Sequence, residues 1–194
     1  MPKKPEPELS YNSEKQFRAK YLKCRSKRKQ VELIREYREW LSRLDEAKAA
    51  LIKALAERLY TERTQHFFLE LLQNADDNRY SSDVEPTIEF EYQGEDNLII
   101  RNNEQGFSAE DVYSITTAAL STKYLRDDSA YIGEKGIGFK SVFAVADKVE
   151  IHSNGYHFAL KNGEYIIPYW IEEPYDQLSN TEIVLQLKPG KQMR

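Results

Sequence analysis

The chain has 194 residues, 40% hydrophobic and 31% charged, with 28 Lys and Arg against 32 Asp and Glu for a net charge of −4. That length holds one domain of ordinary size plus an extension. A mean hydropathy of −0.72, with no apolar run near the roughly 18 residues of a membrane span, excludes helices that cross a membrane.

Cys24 is the single cysteine, so no internal disulfide forms, and His66, His152 and His157 lack the spacing of a transition-metal site. With no signal-peptide pattern at the start, the expected setting is intracellular, in cytoplasm or nucleus. Charge is unevenly placed: residues 1–43 carry 13 basic and 6 acidic side chains, and the remainder 15 and 26. From Lys15 to Lys29 there are eight basic residues and no acidic one. Such a block can contact nucleic acid, act as a nuclear-import signal or touch an acidic partner; it can equally be a solvated helix face.

In chain order, residues 1–12 are Pro-, Lys- and Glu-rich and are expected as a flexible arm. Residues 13–54 read as a basic, amphipathic helical extension and 55–194 as the main domain. Val31, Ile34, Tyr37, Leu41, Leu44, Leu51, Leu55 and Leu59 follow a three-four spacing that predicts one long helix, or two with a restart at Ser42 and Asp45. This stripe packs on the domain that follows or, alternatively, makes a homodimer arm.

Thr64 can cap the next helix. There Phe67, Phe68, Leu71, Leu72 and Ala75 form a buried stripe. Glu70 and Asn74, four residues apart, put a carboxylate and a carboxamide on one face, which Asp77 and Asn78 continue. Polar groups beside a core stripe must be satisfied or used. Residues 87–92 and 98–101 read as strands around a turn. A polar loop from Asn102 to Phe107 precedes a short helix with Ser108 and Asp111 as capping box. Residues 116–131 are polar, aperiodic and long enough for a lid. Gly133, Gly136 and Gly138 then lead into an apolar helix over 139–146. Strands follow at 148–152, 156–160, 165–168 and 182–187, with Asn154-Gly155 and Asn162-Gly163 as hairpin turns. The pattern predicts an α+β fold: one mixed, largely antiparallel sheet with helices on one face.

The three glycines let backbone approach a ligand, and amides at a helix start make an anion site. The loop is not a P-loop: that motif needs Lys where Phe139 stands, and Lys140 comes one place late. It is not the dinucleotide fingerprint either, because Ser141 is no third glycine and residues 121–130 are polar rather than a strand. Helix and loop explain each other if the ligand is a magnesium–nucleoside triphosphate. Mg²⁺ takes oxygen ligands and keeps waters, so the Asn74 amide can serve beside phosphate oxygens. Glu70 can orient and deprotonate the attacking water. The glycine loop with Lys135 or Lys140 can neutralise the triphosphate.

Glu70-x-x-x-Asn74-x-x-Asp77, Gly133-x-x-Gly136-x-Gly138-Phe139 and Asn180-Thr181-Glu182-Ile183, in that order, resemble the GHKL ATPases, the superfamily of gyrase, the large heat-shock chaperones, histidine kinases and mismatch-repair ATPases. More narrowly, E-L-L-Q-N-A-D-D-N, N-N-E-Q-G-F, S-T-K and G-E-K-G-I-G-F-K-S-V-F resemble its sacsin and No Vein type. The resemblance covers about residues 55–187. It implies a two-layer Bergerat-fold sandwich that binds ATP with Mg²⁺ and hydrolyses it, with lid closure as the conformational switch. It gives Glu70 the part of general base, Asn74 that of Mg²⁺ ligand, and Asp77, followed by Asn78, that of the acid near base and ribose. Gly106 and Phe107 end the adenine-side loop; Ser121, Thr122 and Lys123 lie in the lid; and Thr181 supports adenine recognition through water. Gly133, Glu134, Lys135, Gly136, Ile137, Gly138 and Phe139 make the phosphate loop, with Lys140 next to it.

One departure concerns the base. Where the superfamily places an Asp and, two residues on, a Gly, this chain has Asn102 and Glu104. An Asn can accept from the adenine amine and donate to N1; flipped, it pairs with guanine. Many members complete the site with a basic residue from a following domain, and the chain ends at Arg194, so slow turnover in isolation is expected, with ADP and a protein partner or client as further ligands. The competing reading is a nucleotide-regulated interaction module with little hydrolysis, contacting nucleic acid or an acidic partner through Lys15 to Lys29. A histidine kinase is disfavoured, since His66 belongs to the Glu70 helix.

Overall fold

The computed structural model describes residues 14–44, 67–117, 138–172 and 180–190, with 50 and 54 as isolated helical positions. The basic, apolar-striped start forms two helices, α1 (Glu14–Lys23) and α2 (Lys27–Leu44). The break falls at 24–26, earlier than the sequence suggests, because Ser26 caps α2: its hydroxyl accepts from the Lys29 amide at 3.3 Å. Ser42 does not restart a helix. It lies inside α2, with its hydroxyl donating to the Arg38 carbonyl at 2.9 Å, and Asp45 lies outside the described residues.

α1 buries Phe17 and Tyr21, and α2 buries Val31, Ile34 and Tyr37. The Phe17 and Tyr37 rings stack with centroids 3.9 Å apart. Both helices join one continuous core with the sheet. Of the predicted stripe, Leu41 is exposed, whereas Val31, Ile34 and Tyr37 pack on their own chain. Several cations of the basic block are spent the same way: Arg18 pairs with Glu110 at 2.7 Å, and Arg28 with Glu32 and Glu172.

α3 (Phe67–Asp76) buries Phe67, Leu71 and Ala75. Phe68 stacks at 4.4 Å on Phe90 of β1 (Ile88–Gln93). β2 (Asn97–Asn102) follows, then α4 (Ala109–Ile115), whose Ser108 and Asp111 make the expected capping box. After a 3₁₀ turn at Lys140–Ala144 come β3 (Ala146–Ser153), β4 (Tyr156–Lys161), β5 (Glu164–Trp170) and β6 (Thr181–Leu187). The apolar helix expected over 139–146 is cut short. The Val145 amide closes on the Val142 carbonyl, one residue tighter than an α-helical bond, and Ala146 is already paired with Leu187.

The sheet order is β1-β2-β6-β3-β4-β5. Every described pairing is antiparallel, so the parallel component allowed by a mixed sheet is absent there. The Asn154-Gly155 turn suits its residues, with φ of 46° and 71°, a pair of left-handed positions that Asn-Gly tolerates well; in the Asn162-Gly163 turn only Gly163 is left-handed, at 84°. α2 packs on β5 and β4, α3 on the 3₁₀ turn and α4 on α2. The result is an α+β arrangement of one sheet with helices against it.

The register sets up the site. Asn102 at the end of β2 faces Thr181 at the start of β6, and Thr181 faces Ser153 at the end of β3. Directly paired residues project from the same face. Three polar side chains therefore stand in a row at one end of three adjacent strands.

Candidate functional site

Two residues of that row, Asn102 and Thr181, line a cavity of about 520 Å³. Leu71 and Ala75 of α3, Ile100 of β2, Ile183 of β6 and Phe139 give it an apolar lining. Polar groups sit round it: Asn74, Asp77 and Asn78 from the end of α3, and Asn102 and Thr181 from the sheet. An apolar slot with a few convergent polar groups is the usual form of a small-molecule site.

The loop after β2 is fixed from both sides. Asn180 donates its amide to the Glu104 carbonyl at 2.7 Å. On the other side the Phe107 amide donates to Ser153 Oγ at 2.8 Å, and Ser153 Oγ lies 2.6 Å from Thr181 Oγ1. Asn154 donates to the Phe107 carbonyl at 3.0 Å. Gly106, with φ of 85°, is required here: a β-carbon would come within 2.8 Å of Asn154 Cβ. Asn154 is itself held by Lys27 of α2, whose ammonium donates to its carbonyl and lies 3.1 Å from its Oδ1. The second helix thus reaches the cavity wall through one hairpin.

Asn102 is wired as well as placed. It is 6% exposed. Its Oδ1 accepts the Glu104 backbone N–H at 2.9 Å and lies 3.0 Å from the Tyr80 hydroxyl, whose one hydrogen is within reach of the Ala75 carbonyl at 2.6 Å. Burial raises the Tyr80 phenol above its ordinary range, so it stays a donor. Glu104, 5% exposed, lines the cavity beside Asn102.

Glu70 stands one turn before Asn74 on α3, half-buried. Its carboxylate lies so close to Gly138 that a β-carbon there would be 2.1 Å from Oε2. The acid-bearing helix and the end of the glycine-rich stretch therefore touch, and glycine is the residue that permits it.

Of the residues singled out in the sequence, the cavity gathers Asn74, Asp77, Asn78 and Asn102 with Gly106, Phe107, Phe139 and Thr181. Glu70 and Gly138 meet beside α3. Lys140 is not brought in. It is 1% exposed, and its Nζ donates to the Tyr165 carbonyl at 2.6 Å. Burial, with Arg38 nearby, pushes its amine well below the usual lysine range. The 3₁₀ turn aims it at β5, so it is a core residue rather than a phosphate ligand. Ser121, Thr122, Lys123, Gly133, Glu134, Lys135, Gly136 and Ile137 lie outside the described residues. The sequence reading missed Ser153, Tyr80 and Glu104. Ser153 and Tyr80 act through partners 46 and 22 residues away, which no local pattern reveals. Glu104 was visible only as a place where glycine was expected.

The oxygen donors Asn74, Asp77 and Asn78 on one edge fit a hard cation that takes its remaining ligands from water and phosphate. Among the described residues no group of three or more His, Cys, Asp or Glu side chains forms a self-sufficient metal site. No helix among them is long and apolar enough to cross a membrane.

No protein-family model matches the chain. It is similar to Protein NO VEIN of Arabidopsis thaliana, 45% identical over 129 residues, which is 64% of this chain. The chain spans only 4% of that protein's length. The similarity marks it as a relative of No Vein that corresponds to one segment of a much larger protein.

Proposed function

We propose that the chain is the Mg²⁺–nucleoside triphosphate-binding and hydrolysing domain of a larger GHKL-type protein, ATP being the nucleotide the resemblance implies. One observation carries the reading: Asn74 lines an apolar cavity together with Asn102 and Thr181, and one turn earlier on the same helix the Glu70 carboxylate lies against Gly138 at the end of the glycine-rich stretch. The cavity suits a flat base between Ile100, Ile183 and Phe139, with its polar edge toward the strand ends. Asn74 supplies a neutral oxygen for the cation, which when bound offsets phosphate charge. Glu70, one turn away, orients the attacking water and takes its proton. The resemblance further implies lid closure over the nucleotide as the conformational switch.

The test is binding and single-turnover hydrolysis of Mg²⁺-ATP and Mg²⁺-GTP by wild type, Glu70→Ala and Asn74→Ala. Glu70→Ala keeps binding and loses hydrolysis by a factor of about 10² to 10⁴. Asn74→Ala loses the Mg²⁺-dependent part of binding. Identical binding and turnover in all three proteins would sink the assignment.

A further inference from the structure

Most arginines of the described residues are spent within the chain. Arg18, Arg28, Arg35, Arg43 and Arg101 each pair with a carboxylate, and Arg38 donates to Thr117 at 3.0 Å. Arg79 differs. It is exposed at the edge of the cavity it lines, and no hydrogen bond or ion pair ties its guanidinium to the described residues. Asp76 and Asp77 precede it in the sequence, yet neither holds it. Among the described residues that line the cavity it is the one cation. Lys140, which also follows the glycine-rich stretch, is turned away to the Tyr165 carbonyl.

The backbone that carries Arg79 is fixed on two sides. Its carbonyl accepts the Gln105 N–H at 2.8 Å, and the Asn78 amide closes on the Ala75 carbonyl at 3.3 Å. The residue is thereby held between the end of α3, where Asn74 stands, and the loop after β2. A fixed backbone with an uncommitted guanidinium gives a donor of known origin and wide reach.

We propose that Arg79 is a phosphate-binding residue of this site, its guanidinium donating a pair of N–H groups to the phosphate chain of the bound nucleotide. The inference rests on the nucleotide reading above and deepens it by naming a cation within this chain. A phosphate chain entering past Asp77, which lines the same edge, meets like charge. A cation held at Asn74 offsets part of that repulsion, and Arg79 offsets more from the turn that follows the same helix. The planar guanidinium fork matches two phosphate oxygens at once, which an ammonium cannot do. Because the side chain is exposed, the contact is screened by salt, and that makes it measurable.

The experiment is a calorimetric titration of the full chain with Mg²⁺-ATP, Mg²⁺-ADP and adenosine at low and high salt, repeated on Arg79→Ala and Arg79→Lys. Arg79→Ala is expected to weaken ATP and ADP by about tenfold to a hundredfold and to leave adenosine unchanged. Arg79→Lys is expected to fall between wild type and alanine, since it keeps the charge and loses the fork. ATP binding to wild type should weaken with salt more steeply than binding to Arg79→Ala. Equal ATP affinity in wild type and Arg79→Ala, or an equal salt slope, would overturn the inference while leaving a nucleotide site standing. So would adenosine losing as much affinity as ATP, which would place the guanidinium on the base. Failure of wild type to bind any of the three would overturn the nucleotide reading and this inference with it. Arg79→Gln, which removes the charge and keeps a long polar side chain, gives the same comparison if alanine disturbs the fold.

Discussion

Replacing Gly138 with alanine separates the position of the Glu70 carboxylate from the stability of the fold. The added β-carbon would lie 2.1 Å from Oε2 and 3.1 Å from Cδ of Glu70. Ordinary contact begins near 3.4 Å, so the carboxylate must retreat by about 1.3 Å. Gly138 is helical, and on propensity alone alanine there gains about 1 kcal/mol. The obstructing atoms end a flexible side chain, so the protein folds and the strain is spent on moving Glu70. In wild type these effects largely cancel. In a Glu70→Ala background the obstruction is gone and Gly138→Ala becomes stabilising, which gives a coupling energy of about 0.5–1 kcal/mol. Urea unfolding of the four proteins, at constant m-value, measures it. Under the proposed function, with Glu70 as general base, single-turnover hydrolysis would read the same displacement independently. A base shifted by about 1 Å loses on the order of 10²-fold in rate, and the double variant loses nothing beyond Glu70→Ala. Equal effects of Gly138→Ala in both backgrounds would refute the contact and, with it, the argument that glycine is needed because the acid lies against it.

Three further outcomes follow from the structure. Phe17→Ala removes a ring that is 1% exposed and stacked on Tyr37, and should cost about 3–5 kcal/mol in denaturant unfolding; a loss below about 1 kcal/mol would mean that the first helices are not part of the core. Lys27→Ala frees the Asn154 hairpin at a cost of about 1 kcal/mol, and amide exchange at Phe107 should accelerate; unchanged Phe107 protection would break the proposed link from α2 to the cavity wall. Burial, then His152 with its Nδ1 3.0 Å away, then Lys27, hold the His157 pKa below its ordinary 6.5. The unfolded ring gains a proton as pH falls through 6.5 and the folded ring resists it, so stability declines from there toward the folded value. Melting curves at several pH values should show this decline, and His157→Gln should flatten it; an equal slope in the variant would assign the effect to other groups.

How much of this was legible depended on how local each cause was. The six strands were readable from alternation and from Asn154-Gly155 and Asn162-Gly163, because turn chemistry acts within four residues. The capping box at Ser108 and Asp111 was readable for the same reason. The break between α1 and α2 was not: Ser26, its cap, sits within a run of lysines and arginines whose charge dominates the pattern. Lys140 was misread because a cation after a glycine loop suggests phosphate, whereas a tightened 3₁₀ turn rotates it inward to the Tyr165 carbonyl. Within the site, the type of each residue was legible and its wiring was not. That Asn102 stands where the resemblance places base recognition was legible from the motif; that its oxygen is held by Glu104 and approached by Tyr80 follows only from the fold.

The packing of α1 and α2 on the last hairpins has a cost in time. Gln30 takes its hydrogen bond from Tyr156, 126 residues later, and Arg28 reaches Glu172, 144 residues later. At the roughly 5–20 residues per second of synthesis, the first helices leave the ribosome on the order of ten seconds before the strands they cover exist. During that interval Phe17 can stack on Tyr37, but α2 lacks the β4 and β5 surface on which it packs. Closing contacts at such separation is slow in any case, because loop entropy is lost before the contacts reward it. The rate-limiting event in making this fold is therefore expected to be the docking of its first-made helices, the step at which a nascent chain most needs a chaperone.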